Sequence, residues 1–281
     1  MFRWEPATRT LLATWDSSKV NSYLALPLKN VLTREDDFRA SLDLRPLRIT
    51  PGSDPNKPGT FEMAFGFLNW ANATASRFLR GTGTDSPNLV EWDYFPDTGF
   101  GATISSALVA TNGHFESAFT FPLELKINAL YHIELAYSSS GRVLEIAMTE
   151  NGQALPSITP LRMSQNFGDF RVDTFALSSY SDAGQSPEFP GSIFAQARID
   201  NIVITVPPGP SIQISGRRRG NAWEVTFDSL RGWDYSLERS TDLKQWTTVA
   251  GPLSGQNMPA TLQDQRPPTS HALYRITATK P

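Results

Sequence analysis

The 281-residue sequence predicts an all-β protein built from antiparallel sandwiches. Apolar and polar residues alternate with period two along most of the chain, as half-buried strands require. Nineteen Gly and 21 Pro leave little room for long helices. Turn-forming pairs separate the alternating runs, with no helical pattern between them, and this favours antiparallel sheets over a parallel α/β arrangement. Hydrophobic residues make up 40% of the chain, enough for a core, and charged residues 19%, too few for a disordered one.

The elements follow in order. In residues 38–45, Phe38, Ala40, Leu42 and Leu44 point one way, and Arg39, Ser41, Asp43 and Arg45 the other. Residues 60–69 (TFEMAFGFLN) are mostly apolar and suit a strand covered on both faces, and residues 88–95 (NLVEWDYF) form the next. Strands are expected at 101–109, 115–121, 130–137, 142–149, 170–178 and 193–206. Pro51-Gly52, Pro58-Gly59, Asn112-Gly113, Ser140-Gly141 and Asn151-Gly152 supply turns. Pro207-Pro208-Gly209-Pro210 cannot continue a sheet ladder and reads as a stiff linker. Residues 211–281 carry their own strands at 222–227, 235–239, 246–249 and 273–278, enough for a small immunoglobulin- or fibronectin-like sandwich. The expected division is therefore 1–206, linker 207–210 and 211–281.

A net charge of −3 argues against a nucleic-acid partner. The absence of Cys excludes disulfides, thiolate metal sites and cysteine nucleophiles. No apolar run approaches the roughly 20 residues of a spanning helix, so membrane insertion is not expected. The first residues do not spell a leader, so the sequence reads either as cytosolic or as a piece of a longer exported protein.

Glu91, Asp93, Phe95 and Asp97 occupy alternate positions, so on a strand they share one face, roughly 6.5–7 Å apart along it. Carboxylates that close repel unless a cation or protons intervene. A hard, oxygen-ligated ion is the natural partner, and Ca²⁺ fits best where Cys is absent and His is scarce. The bland alternative is a solvated sheet face on which Glu91 and Asp93 pair with Arg77, Arg80 or Lys126. A third reading is catalysis.

The segment order of residues 1–206 resembles the concanavalin A-like lectin/glucanase jelly roll, of the legume-lectin or LamG type. Residues 61–68 (FEMAFGFL) look like the apolar strand beneath the lectin sugar site, and residues 90–97 (VEWDYFPD) like the metal-site strand. Residues 131–137 and 144–148 look like the later hairpin, with 173–180 and 198–205 as closing strands. The resemblance implies a jelly-roll fold and metal ligands at Glu91, Asp93, the Phe95 carbonyl and Asp97. The chain departs from the lectin pattern twice. Residues 98–104 (TGFGATI) carry neither the second Asp nor the His, which argues against a two-metal site, and Phe61 stands where lectins place a sugar-binding Asp. Residues 235–246 (YSLERSTDLKQW) and 273–276 (LYRI) resemble a small C-terminal sandwich module of secreted and surface bacterial proteins, which implies an accessory role outside the cell.

Glucanases of the same superfamily carry Glu-x-Asp-x-Glu or Glu-x-Asp-x-x-Glu. Retaining hydrolysis needs two carboxyls about 5–5.5 Å apart. Glu91-Trp92-Asp93 opens that motif, but the second Glu would fall at Phe95 or Pro96, and neither transfers a proton. His132 alternates with Tyr131 and Ile133 and reads as a satisfied strand residue. The RGTGTD stretch at 80–85 lacks the helix that a phosphate cradle needs, and Arg217-Arg218-Arg219 reads as a basic hairpin tip, with contact to an anionic glycan or surface as the alternative. Of the seven Trp, Trp92 belongs on the core side of its strand, whereas Trp70, in the amide-rich run Asn69-Trp70-Ala71-Asn72, and Phe100, between two glycines, are the candidates for a ligand cleft.

The leading expectation is a non-catalytic, extracellular or cell-surface binding or adhesion module for a glycan, using Trp70, Asn72 and Phe100, with one Ca²⁺ at Glu91, Asp93, Phe95 and Asp97. The alternatives are a glycoside hydrolase with Glu91 as nucleophile and a structural spacer of a large surface protein.

Overall fold

The structure, a computed structural model, describes residues 1–76, 78, 86–185, 187–188 and 190–280, apart from the Lys29 side chain. Arg77, Arg80 and the 80–85 stretch lie outside the described residues. The chain divides into two compact units, Met1–Pro207 and Pro208–Pro281.

The first unit runs β1 (Phe2–Glu5), β2 (Thr10–Asp16), β3 (Ser22–Leu32), β4 (Phe38–Pro51), β5 (Met63–Leu68), a single helical turn α1 (Trp70–Ala73), β6 (Leu89–Phe95), β7 (Thr103–Val109), β8 (Phe115–Thr120), β9 (Tyr131–Ser138), β10 (Val143–Glu150), β11 (Gln153–Ala154), β12 (Leu161–Arg162), β13 (Val172–Ser179) and β14 (Ile193–Thr205). A 3₁₀ turn, Asp182–Gly184, precedes β14. Eight strands form one sheet in the order β1-β2-β14-β4-β9-β10-β11, with β12 also on β10; six form the other, β3-β13-β5-β6-β7-β8. Every ladder between these strands is antiparallel. The late strands β13 and β14 insert beside early ones, and the chain passes repeatedly from sheet to sheet. This is an all-β antiparallel jelly roll.

Alternation decides which side chains meet between the sheets. Phe38, Ala40, Leu42 and Leu44 of β4 are buried. Phe38 meets Phe67 of the facing sheet edge-on at 4.8 Å. On β6, Val90, Trp92 and Tyr94 enter the core, and Trp92 stacks on Phe65 at 4.9 Å. Each such large apolar side chain contributes about 1.5–3 kcal/mol on burial. Tyr94 anchors a loop, its hydroxyl accepting from the Leu125 N–H at 3.1 Å, and burial pushes its pKa up to about 12. Asp182 is a buried staple: it pairs with Lys57, and the Ser17 hydroxyl donates to it at 2.9 Å.

The second unit has β15 (Ile214–Arg219), β16 (Ala222–Asp228), β17 (Asp234–Ser240), β18 (Thr247–Ser254), β19 (Pro259–Asp264) and β20 (Leu273–Thr279). They form two three-stranded antiparallel sheets, β15-β16-β19 and β18-β17-β20, around Val225, Phe227, Tyr235, Leu237 and Leu262. The arginine triplet is not a hairpin tip. It lies in β15, where Arg217 and Arg219 hold the buried Glu224 carboxylate at 2.6 and 3.2 Å.

Candidate functional site

The six-stranded sheet has a second face, turned away from the core. Register places Ala64 and Gly66 of β5, Glu91 and Asp93 of β6, Ser105 and Ala107 of β7, and Ala176 and Ser178 of β13 on it. Small residues here let neighbours pack closely on the strands. A Cβ on Gly66 would stand 2.1 Å from the Val90 carbonyl oxygen and 2.8 Å from the Glu91 Cα.

Glu91 and Asp93 share this face, as the alternation predicts, but they are not solvated: they are 1% and 2% exposed. The Tyr180 hydroxyl donates to Glu91, and Tyr180 is itself buried. Lys126, one of the expected partners, instead pairs with Glu150 at 2.8 Å. Asp97 lies beyond Pro96, exposed, and its carboxylate accepts from the Gly99 N–H at 3.1 Å in an Asx turn. Phe95 is half-buried between them. The expected ligand set Glu91, Asp93, Phe95 and Asp97 therefore does not fit a Ca²⁺: two carboxylates are buried on the sheet face while the third caps a surface loop. Among the described residues no group of three or more His, Asp or Glu side chains could hold a metal ion. The same burial keeps Glu91 from a polysaccharide chain.

Trp70 and Asn72 belong to α1, where the Asn69 side chain caps the turn by accepting from the Asn72 N–H at 3.1 Å. Trp70 is 41% exposed and meets Tyr23 edge-on at 5.7 Å. The Asn72 side-chain oxygen accepts from the Asn88 amide at 2.9 Å, and Asn88 in turn accepts from the Thr111 hydroxyl and the Arg171 N–H. Asn72 is thus engaged in tying loops together. Phe100 stands elsewhere. The α1 turn follows the Leu68 end of β5, which pairs with Leu89; Phe100 follows the other end of β6. At 3.3 Å per residue these ends are about 20 Å apart. Trp70 and Asn72 do not join Phe100 in one site.

Phe100 is 75% exposed, at the tip of the loop joining β6 to β7. The loop closes on itself: the Thr98 N–H and hydroxyl both donate to the Gly101 carbonyl, at 3.2 and 2.8 Å, and Gly101 has φ +97°, which only glycine adopts readily. Beside it lies a cavity of about 410 Å³ lined by Phe95, Thr98, Phe100, Thr103, Phe119 and Phe121. Phe119 and Phe121 are 51% and 54% exposed, and the Phe100 and Phe121 rings lie 5.9 Å apart, tilted by 44°. None of the six lining side chains is an acid or a base. Of these, the sequence singled out Phe100 as a cleft residue. Phe119 and Phe121 were legible only as strand residues; their signal is the alternation Phe115, Ser117, Phe119, Phe121, which places phenyl rings on one face.

The class these elements define is an antiparallel jelly roll with an aromatic cavity at one end of its six-stranded sheet. No protein-family model matches the chain, and no curated protein matches it. Solved structures similar to it include legume lectins. Peanut lectin with a nine-residue peptide shares 13% identity over 70% of this chain and 88% of that chain, with a TM-score of 0.40. The Lotus tetragonolobus seed lectin shares 12% over 74% and 97%, with a TM-score of 0.41. Winged bean acidic lectin, complexed with methyl-α-D-galactose, shares 9% over 74% and 91%, with a TM-score of 0.43. At these values the likeness is one of strand arrangement and assigns no residue.

Proposed function

We propose that the jelly-roll unit is a non-catalytic carbohydrate-binding module, acting outside the cell or at its surface, with the phenyl-lined cavity at Phe100 as its site. The observation that carries this reading is the cavity itself. Its volume, about 410 Å³, is that of a small-ligand site. Exposed phenyl rings stand at its wall, whereas isolated apolar side chains are the norm on a surface. The C–H face of a pyranose is apolar and stacks on such rings, while the sugar hydroxyls keep their water at the mouth. A binding role also suits a cavity whose lining holds no acid or base, and a Glu91 that no substrate reaches.

The test is a glycan array followed by titration of the strongest hits with the whole protein. Phe100→Ala is expected to weaken binding about fivefold or more, since truncating an aromatic anchor costs over about 1 kcal/mol. Trp70→Ala is expected to leave it unchanged. An empty array, or a Phe100→Ala variant that binds as the parent does, contradicts the proposal. So does release of sugar from any polysaccharide.

A further inference from the structure

We infer that the Phe100 cavity selects 6-deoxyhexoses, taking the methyl-bearing face of the ring between its phenyl groups; this rests on the carbohydrate reading above. The hydrogen-bonding capacity of the lining decides what it accepts. Four of the six lining side chains are phenylalanines and offer none. The other two are Thr98 and Thr103. The Thr98 hydroxyl donates to the Gly101 carbonyl at 2.8 Å. The Thr103 hydroxyl lies 3.3 Å from the same carbonyl and 3.1 Å from the Thr98 hydroxyl. Both hydroxyl protons therefore already have acceptors within the loop.

A ligand hydroxyl entering between Phe100, Phe119 and Phe121 thus leaves its water for phenyl carbons. No side-chain donor is spare there, and the only lining side-chain acceptors are the two Thr oxygens bound up in the loop. For a hydroxyl this costs about 1–3 kcal/mol. A methyl group gains there instead, at about 0.8 kcal/mol per buried carbon. An ordinary hexopyranose carries one hydroxyl on an arm projecting from the ring, at C6. Replacing it with hydrogen removes that cost and extends the apolar face. An acetamido group suits the cavity less, because its carbonyl needs a donor that the lining side chains do not supply. The hydroxyl-bearing edge stays toward solvent. Asp97 is exposed one residue before Thr98, on the same loop, and is a carboxylate of the kind that accepts from sugar hydroxyls.

Matched glycosides that differ only at C6 test this on the intact protein. The probes are methyl α-L-fucopyranoside against methyl α-L-galactopyranoside, methyl α-L-rhamnopyranoside against methyl α-L-mannopyranoside, and methyl 6-deoxy-α-D-glucopyranoside against methyl α-D-glucopyranoside. In at least one pair the deoxy member is expected to bind about tenfold tighter or more, and Phe100→Ala, truncating an exposed ring, is expected to abolish that preference. Pairs that bind equally, or hydroxylated members that bind tighter, overturn the inference and leave the carbohydrate reading standing. Array hits confined to sugars without a deoxy position, with no binding of the six glycosides, overturn it likewise. An empty array overturns both.

Discussion

At the scale of single residues, hydrogen bonding and burial decide what each carboxylate does. In the second unit, the N–H groups of Gln245 and Lys244 and the Ser240 hydroxyl hold the Asp242 carboxyl below its ordinary range. The Arg217 side chain does the same for Glu224, against burial and with help from Arg219. At Asp264, burial pulls upward but is outweighed by the Arg266 N–H, the Arg239 guanidinium and the Tyr274 hydroxyl. Each folded-state pKa is thus lowered, so below pH 5 the unfolded chain binds more protons than the folded one. The stabilisation is complete above the unfolded carboxylate values of about 4 and fades as pH falls through the folded ones. The melting midpoint of this unit should be level from pH 7 to about 5 and fall steeply below 4. Asp264→Asn should flatten that fall, and a midpoint indifferent to acid would contradict the assignment. Glu91 teaches the complementary lesson. Its spacing with Asp93 correctly announced a shared face; that this face is covered, with Tyr180 far along the chain donating to Glu91, is a tertiary fact that no local pattern carries.

At the scale of elements, legibility followed amphipathicity. Strand β4 was plain in the sequence because one of its faces is apolar and the other charged. The apolar run of β5 announced burial on both sides, and its strand is buried throughout. Three edge strands were harder to read, although β8, β18 and β20, also at edges, were not. β1, β3 and β15 are each at the edge of a sheet, and their sequences alternate poorly. Pro27 sits in the middle of β3, where a central strand would lose a ladder hydrogen bond but an edge strand need not. The RRR run of β15 hid a strand because charge at a sheet edge looks like a turn, although it guards against edge-to-edge pairing. The cavity was half legible for the same reason: Phe100 declared itself between two glycines, whereas Phe119 and Phe121 needed the sheet to bring them beside it. Close packing of β5 on β6 yields a direct expectation. Gly66→Ala forces a methyl against the Val90 carbonyl, so the strands must part, and chemical denaturation should show a loss of about 1–3 kcal/mol or more. Unchanged stability would mean that β5 and β6 are packed more loosely than the 2.1 Å approach at Gly66 implies.

At the scale of the whole molecule, the two units have separate cores, one built on Phe38, Phe65, Trp92 and Phe175 and the other on Phe227, Tyr235 and Leu237. Every residue of the proposed site belongs to the first. A protein ending at Pro207 is therefore expected to keep the parent's glycan affinity, measured by titration with the same ligand, whereas a large loss on truncation would give the second unit a share in binding. The central claim is that the ligand sits against Phe100, Phe119 and Phe121, at the end of the sheet opposite Trp70. The most direct measurement is chemical-shift mapping with ¹³C-labelled aromatic side chains, titrating in the strongest array ligand. Saturating shifts of the Phe100, Phe119 and Phe121 ring signals are expected, with those of Trp70 and Tyr23 unmoved; shifts at Trp70 and Tyr23 with a silent Phe100 would place the ligand at the other end of the sheet and refute the claim.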